Sequence, residues 1–137
     1  RWARAIKFKG LHIVVKIPQG FDFPVDINVD YGDIDFETEY NSLLNVQMGT
    51  GDFEAISLGG KFDISTNIGD ISIKNAKPYE NSSLKTDTGD IEVDNVLNTK
   101  IISEADTGNE DVNGSDDSSG VTLTVTTDTG DIEVNDN

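Results

Sequence analysis

The sequence predicts an all-β fold, a β-solenoid: a β-helix-like stack of about six rungs of roughly 19 residues, each made of two short strands joined at a Gly-Asp corner. Three observations predict it. The hexapeptide Thr88-Gly89-Asp90-Ile91-Glu92-Val93 recurs as Tyr31-Gly32-Asp33-Ile34-Asp35-Phe36, Thr50-Gly51-Asp52-Phe53-Glu54-Ala55, Ile68-Gly69-Asp70-Ile71-Ser72-Ile73 and Thr129-Gly130-Asp131-Ile132-Glu133-Val134, with a degraded copy at Thr107-Gly108-Asn109-Glu110-Asp111-Val112. The six glycines are spaced by 19, 18, 20, 19 and 22 residues, the range in which a fixed period marks a stacked array. Apolar residues alternate with polar ones on either side of each glycine, which is the period of a half-buried strand.

Taken in order, residues 1–21 read as an irregular first rung or cap. The apolar run Ile13-Val14-Val15-Lys16-Ile17 precedes Pro18, whose ring stops a strand from continuing in a central position. Trp2 is expected to close the open end of the core. From Phe23 onward, alternate positions counted back from the glycines are expected to point inward. They are Val25, Ile27, Val29 and Tyr31; Leu44, Val46, Met48 and Thr50; Phe62, Ile64, Thr66 and Ile68; and Leu123, Val125, Thr127 and Thr129. Counted forward, Ile34 and Phe36, Ile71 and Ile73, Ile91 and Val93, and Ile132 and Val134 take the opposite parity.

A strand cannot change its inward face without an irregularity, and Gly-Asp supplies one. Glycine adopts positive φ at no steric cost, and aspartate accepts hydrogen bonds from nearby backbone N–H groups. Looser connections such as residues 75–81 and 94–98 then return the chain to the next rung. A hexapeptide left-handed β-helix has a similar coil length, but small and aliphatic residues do not recur every six positions here. A β-sandwich of the same short strands is the competing fold.

The fifth rung departs from the pattern, with Glu110 where others have Ile or Phe, and Ser103 and Ala105 in place of larger inward residues. It leads into Asn113-Gly114-Ser115-Asp116-Asp117-Ser118-Ser119-Gly120, whose composition predicts a mobile loop over 113–120. A poor rung weakens a nearest-neighbour array locally, so fraying is expected around 109–120. After Val134 no cap is evident, and an uncovered end invites a partner or end-to-end self-association.

Composition narrows the function classes. The chain of 137 residues holds one domain, with the repeats in 22–137, and no apolar run is long enough for a membrane span. It begins at Arg1 rather than Met, which suggests a piece of a longer protein. There is no cysteine for a disulfide or thiolate site. Arg1, Arg4, Lys7, Lys9 and Lys16 precede the first acid, Asp22, so residues 22–137 set five lysines against 26 acids. Such a surface repels phosphate backbones and argues against nucleic acid as a partner.

Stacked in register, Asp33, Asp52, Asp70, Asp90, Asn109 and Asp131 would form one row at a spacing of about 4.8 Å. Asp30, Asp87, Asp106 and Asp128 lie on one side of it, and Asp35, Glu54, Glu92, Asp111 and Glu133 on the other. Adjacent carboxylates at that distance repel by roughly 1 kcal/mol in water and by about 3 to 4 kcal/mol at an effective dielectric near 20. Calcium, which takes several carboxylate oxygens, could offset this, making Asp33, Asp52, Asp70, Asp90 and Asp131 its candidate ligands. The spacing matches neither an EF-hand nor a calcium-binding β-roll. The simpler role is bracing, each aspartate holding its own corner through backbone N–H groups.

The pairs Thr86-x-Thr88 and Thr127-x-Thr129 bring ice-binding ladders to mind, but the row includes Tyr31 and Ile68 and by parity faces inward, so a core row of hydroxyls bonding along the stack is expected. His12 is the one histidine, and no nucleophile pairs with it through a motif. The chain is therefore expected not to be an enzyme.

Val15-Lys16-Ile17-Pro18-x-Gly20 together with the recurrent Thr-Gly-Asp-Ile-x-Val resembles the bacterial β-strand-repeat (Gly-Asp-Ile repeat) domains of unknown function that carry an adhesin label. The resemblance covers about residues 13–134 and implies a β-solenoid of exported or envelope-associated proteins, some linked to envelope stress, with no catalytic residues to transfer. The resulting expectation is a non-catalytic cell-surface or envelope module that presents an acidic face to an envelope polymer, a glycan or a surface protein. The alternatives are a structural or regulatory domain of a larger stress-response protein and, after that, a polysaccharide-active enzyme.

Overall fold

A computed structural model describes the backbone of residues 4–8 and 13–15 and the whole of residues 23–135. Trp2 and His12 lie outside the described residues. In chain order the strands are β1 (Arg4–Phe8) and β2 (Ile13–Val15), β3 (Val25–Tyr31) and β4 (Ile34–Phe36), β5 (Leu43–Thr50) and β6 (Phe53–Ala55), β7 (Leu58–Ile68) and β8 (Ile71–Ile73), β9 (Ala76–Pro78), β10 (Ser82–Thr88) and β11 (Ile91–Val93), β12 (Lys100–Thr107) and β13 (Glu110–Val112), and β14 (Thr122–Thr129) and β15 (Ile132–Val134).

All strand pairs are parallel, as stacked coils require, and the β-solenoid expected from the repeat is the fold observed. The longer strands make one wall in the order β1-β3-β5-β7-β10-β14-β12, and the short strands make a second in the order β2-β4-β6-β8-β11-β15-β13. Residues 1–21, read as an irregular rung, supply β1 and β2, which pair with β3 and β4 as a regular rung does. A third column closes the cross-section: Tyr40, Leu58, Ala76 and Val96, linked by the β7–β9 pair and two isolated bridges. Sequence reading took this column for loose connections.

Files of buried side chains, stacked rung on rung, fill the coil. Ile27, Val46, Ile64, Leu84 and Val125 stack from the long wall, and Ile34, Phe53, Ile71, Ile91 and Ile132 from the short wall. Tyr40, Leu58, Ala76 and Val96 come from the third column, and every one of these side chains is buried. At about 1.5 to 3 kcal/mol for each large aliphatic side chain removed from water, one rung's members supply most of what holds it to its neighbours. Tyr40 is the bulkiest, its ring edge-on to Phe36 at 5.8 Å between centroids. Its hydroxyl lies 2.9 Å from the Leu43 carbonyl and 2.5 Å from that of Phe23, so the polar tip of a buried ring is satisfied.

The rungs do not stack in sequence order. The sixth corner-bearing rung, β14–β15, lies between the fourth, β10–β11, and the fifth, β12–β13, which is the terminal layer among the described residues. This explains the fifth rung's eroded sequence. Val125 is followed in the stack by Ser103, and Ile132 by Glu110. With no further rung to cover them among the described residues, large apolar groups there would face water. Instead the Ser103 hydroxyl donates to Glu110 Oε2 at 2.5 Å, and the Ala105 N–H donates to Glu110 Oε1 at 2.9 Å. The apolar core thus ends in a polar lid.

Candidate functional site

The Gly-Asp corner is the most repeated local structure, and its geometry follows from how closely rungs approach there. Gly51, Gly69, Gly89, Gly108 and Gly130 have φ between +145° and +150°. A Cβ on Gly89 would sit 2.0 Å from the Gly69 carbonyl oxygen, so only glycine fits. With the backbones this close, the Gly89 N–H donates to the Thr129 carbonyl and the Ile91 N–H to the Asp131 carbonyl, both at 2.9 Å.

The five candidate metal ligands run in single file along this corner. Asp33 Oδ1 accepts the N–H of Asp52 at 2.9 Å; Asp52 accepts from Asp70, Asp70 from Asp90, Asp90 from Asp131, and Asp131 from Asn109, each at 2.8 Å. Each carboxylate therefore braces the next rung rather than its own corner, a correction to the expected role. Asn109 stands at the end of the file, where among the described residues no further rung needs a carboxylate. Among the described residues, no group of three or more His, Cys, Asp or Glu side chains is placed to hold one metal ion.

Parity before the corner also differs from expectation. Val29, Met48, Thr66 and Thr127 are buried as expected, but Tyr31, Thr50, Ile68 and Thr129 are exposed, with Tyr31 at 61% and Ile68 at 56%. The pairing ladder skips the residue two before the glycine, passing from Thr86↔Thr66 to Thr88↔Ile68. The chain bends there, two residues earlier than the glycine. In each Thr-x-Thr pair the first hydroxyl is thus internal: Thr86 donates to the Gly69 carbonyl at 2.9 Å and Thr127 to the Gly89 carbonyl at 3.0 Å. These bonds run to the corner backbone, not from hydroxyl to hydroxyl. The outer row is interrupted by Tyr31 and Ile68 and forms no regular threonine array.

The short wall carries the acidic face. In register along its outside are Asp35, Glu54, Ser72, Glu92, Glu133 and Asp111. Ser72 interrupts the row and separates two carboxylates from three. Partial burial against the wall, then the charges of Asp94 and Glu133, with a further hydrogen bond to Asp94, push the Glu92 carboxyl above its ordinary range. At the lid the reverse holds: hydrogen bonds from the Ser103 hydroxyl and the Ala105 N–H hold Glu110 below the usual carboxylate range. On the long wall's outer face Ser83 donates to Asp63 at 2.8 Å.

Sequence reading missed the corner between the short wall and the third column. There Asn75 donates to the Ile56 carbonyl at 2.8 Å and Asn95 to the Lys74 carbonyl at 2.9 Å, an asparagine ladder answering the aspartate ladder. An open groove of about 500 Å³ follows it, lined by Glu39, Ile56, Ser57, Asn75, Lys77, Asn95 and Leu97. The signal was Asn75 and Asn95, each two residues after a short strand, with an apolar residue following. No helix long and apolar enough to cross a membrane occurs among the described residues.

A family model described as Toastrack DUF4097 matches residues 5–137. No curated protein and no solved structure matches the chain.

Proposed function

The chain belongs to the Toastrack DUF4097 family, and from that premise we propose that it is a non-catalytic binding module of the bacterial envelope or cell surface whose acidic short wall engages a cationic partner. The observation that carries this reading is the outward row Asp35, Glu54, Glu92, Glu133 and Asp111, held in register on rungs braced from two corners. A flexible chain with the same charges would lose entropy on presenting them together, whereas this wall holds them at a fixed pitch. The partner class that fits is an envelope protein or an amino-bearing glycan polymer with repeated positive charge.

The test is a sedimentation binding assay on isolated bacterial envelope, with polylysine as a charge-only probe. The Glu54→Gln/Glu92→Gln/Glu133→Gln variant is expected to keep the fold, since all three side chains are exposed, and to bind at least about tenfold more weakly, with a reduced salt dependence. Equal envelope binding by the variant would refute the acidic wall as the binding face. Binding of polylysine but not of envelope by the unsubstituted chain would assign the row to nonspecific charge.

A further inference from the structure

The rung that comes last in sequence order is internal in the stack. β14 pairs with β10 on one side, from Ser82↔Leu123 to Thr88↔Thr129, and with β12 on the other, from Lys100↔Thr122 to Thr107↔Thr129. The chain runs out to the terminal layer at β12–β13, then returns through residues 113–121 to fill a slot one rung deep.

Sequence identity makes that slot unusual. Thr86–Val93 and Thr127–Val134 are the same octapeptide, Thr-Asp-Thr-Gly-Asp-Ile-Glu-Val. The rung in the slot therefore offers β12–β13 the same chemical surface that β10–β11 would offer if the slot were vacated. Asp90, whose carboxylate now accepts from Asp131, would then meet the N–H of Asn109, just as Asp131 now does. Departure of this rung leaves both neighbours a matching seat, which lowers the cost of opening. The connection into it, Asn113 to Gly120, is built of Asn, Gly, Ser and Asp. It rests on the edge of β12 by short polar contacts: Ser115 accepts from the Ile101 N–H at 3.0 Å, and the Asp116 N–H donates to the Thr99 carbonyl at 2.9 Å.

We propose that β14–β15 is exchangeable between molecules, and that a second copy of this chain supplies its own Thr122–Val134 rung to the slot, giving a rung-swapped dimer. The occupant is a second copy because the slot selects for register, for a close-approaching glycine and for an aspartate in file, and this chain carries all three in one octapeptide. Every bond the rung makes in the monomer is remade between chains, so the closed interface is the monomer's own.

The full chain has no cysteine, and Thr88 and Thr129 are register partners with exposed side chains. Paired parallel strands hold such positions about 4.8 Å apart, within disulfide reach. The single variants Thr88→Cys and Thr129→Cys are mixed, unfolded and refolded together at increasing protein concentration, then oxidised, with mass read by light scattering. The expected result is a dimer whose fraction rises with refolding concentration and a mixed 88–129 disulfide several-fold above that of a Thr88→Cys plus Thr50→Cys control, whose positions are two rungs apart. A chain that refolds as a monomer throughout overturns the proposal. So does a dimer whose 88–129 yield only equals the control, which would place the association on another surface.

Discussion

The Asp90 carboxylate accepts the backbone N–H of Asp131 at 2.8 Å across 41 positions of sequence. Four more bonds of the same kind run along the corner, all pointing the same way, so each rung presents its neighbour with a preformed acceptor. The file works as a splice between layers, and it makes the identity of one side chain in each rung a condition for seating the next.

Replacing Asp90 by alanine removes that acceptor and leaves the Asp131 N–H to water at an exposed corner. Asp90→Ala is expected to cost about 1 kcal/mol, and Asp90→Asn, which keeps an oxygen in place, about half as much. Urea midpoints at unchanged slope measure both. Equal losses would mean that charge rather than the acceptor oxygen holds the corner.

The glycine beside it tolerates less. Gly89→Ala forces a methyl to within 2.0 Å of the Gly69 carbonyl oxygen at a backbone φ of +149°, and an expected loss of about 3 kcal/mol or more follows. Gly120 has nothing within 4 Å of an added Cβ, so Gly120→Ala is expected to stay within about 0.5 kcal/mol. Thermal melts of the two variants make the comparison.

Two carboxyls should titrate in opposite directions. Glu92 holds its proton more tightly in the folded chain than in the unfolded one, so its contribution favours folding at low pH and is lost as pH rises through its raised pKa. Glu110 is held low, so its contribution is present at higher pH and is lost as pH falls through its folded pKa. Carboxyl NMR titration reads both. Because Asp94 acts on Glu92 through charge and a hydrogen bond, Asp94→Asn should lower the Glu92 pKa more than Glu133→Gln does.

The polar lid predicts a local exchange pattern. Glu110→Ala should speed amide hydrogen exchange at Ala105 several-fold, with Ile101, which donates to Ser115, little changed. Glu110→Gln keeps an oxygen for the Ala105 N–H and should preserve most of the protection. Uniform acceleration along β12 would instead mean that the whole terminal layer opens as one.

Divalent cations supply a further check. One oxygen of each aspartate in the file is committed to a backbone N–H, so calcium is expected to raise the melting temperature no more than magnesium at matched ionic strength, the shift reflecting screening of the acidic wall. A calcium-specific rise that chelator removes would assign the file a metal-binding role.

The repeat made most of the fold legible, because a glycine recurring about every 19 residues and a period of two specify a stacked coil from either end. Inward positions were read correctly up to three residues before the glycine. They failed at Tyr31, Thr50, Ile68 and Thr129 because a period of two carries no mark of where a strand bends, although repeated Thr at that position was a hint of exposure. The order of rungs was hidden for a different reason: sequence neighbours stack by default, and the clues to an inverted order, Asn109, Glu110 and Ser103, read equally well as decay. The third column was overlooked because one buried residue per rung, such as Leu58 or Val96, has no periodicity of its own within a strand.

A ribosome delivers this chain in sequence order, and the stack is not assembled in that order. Layers from β3–β4 to β10–β11 can close on one another as they emerge. β12–β13 follows, and its permanent neighbour, β14–β15, is translated only afterwards. Any contact that β12–β13 makes with β10–β11 before then has to open for the final layer to enter, so the stack is completed only after the last rung is synthesised.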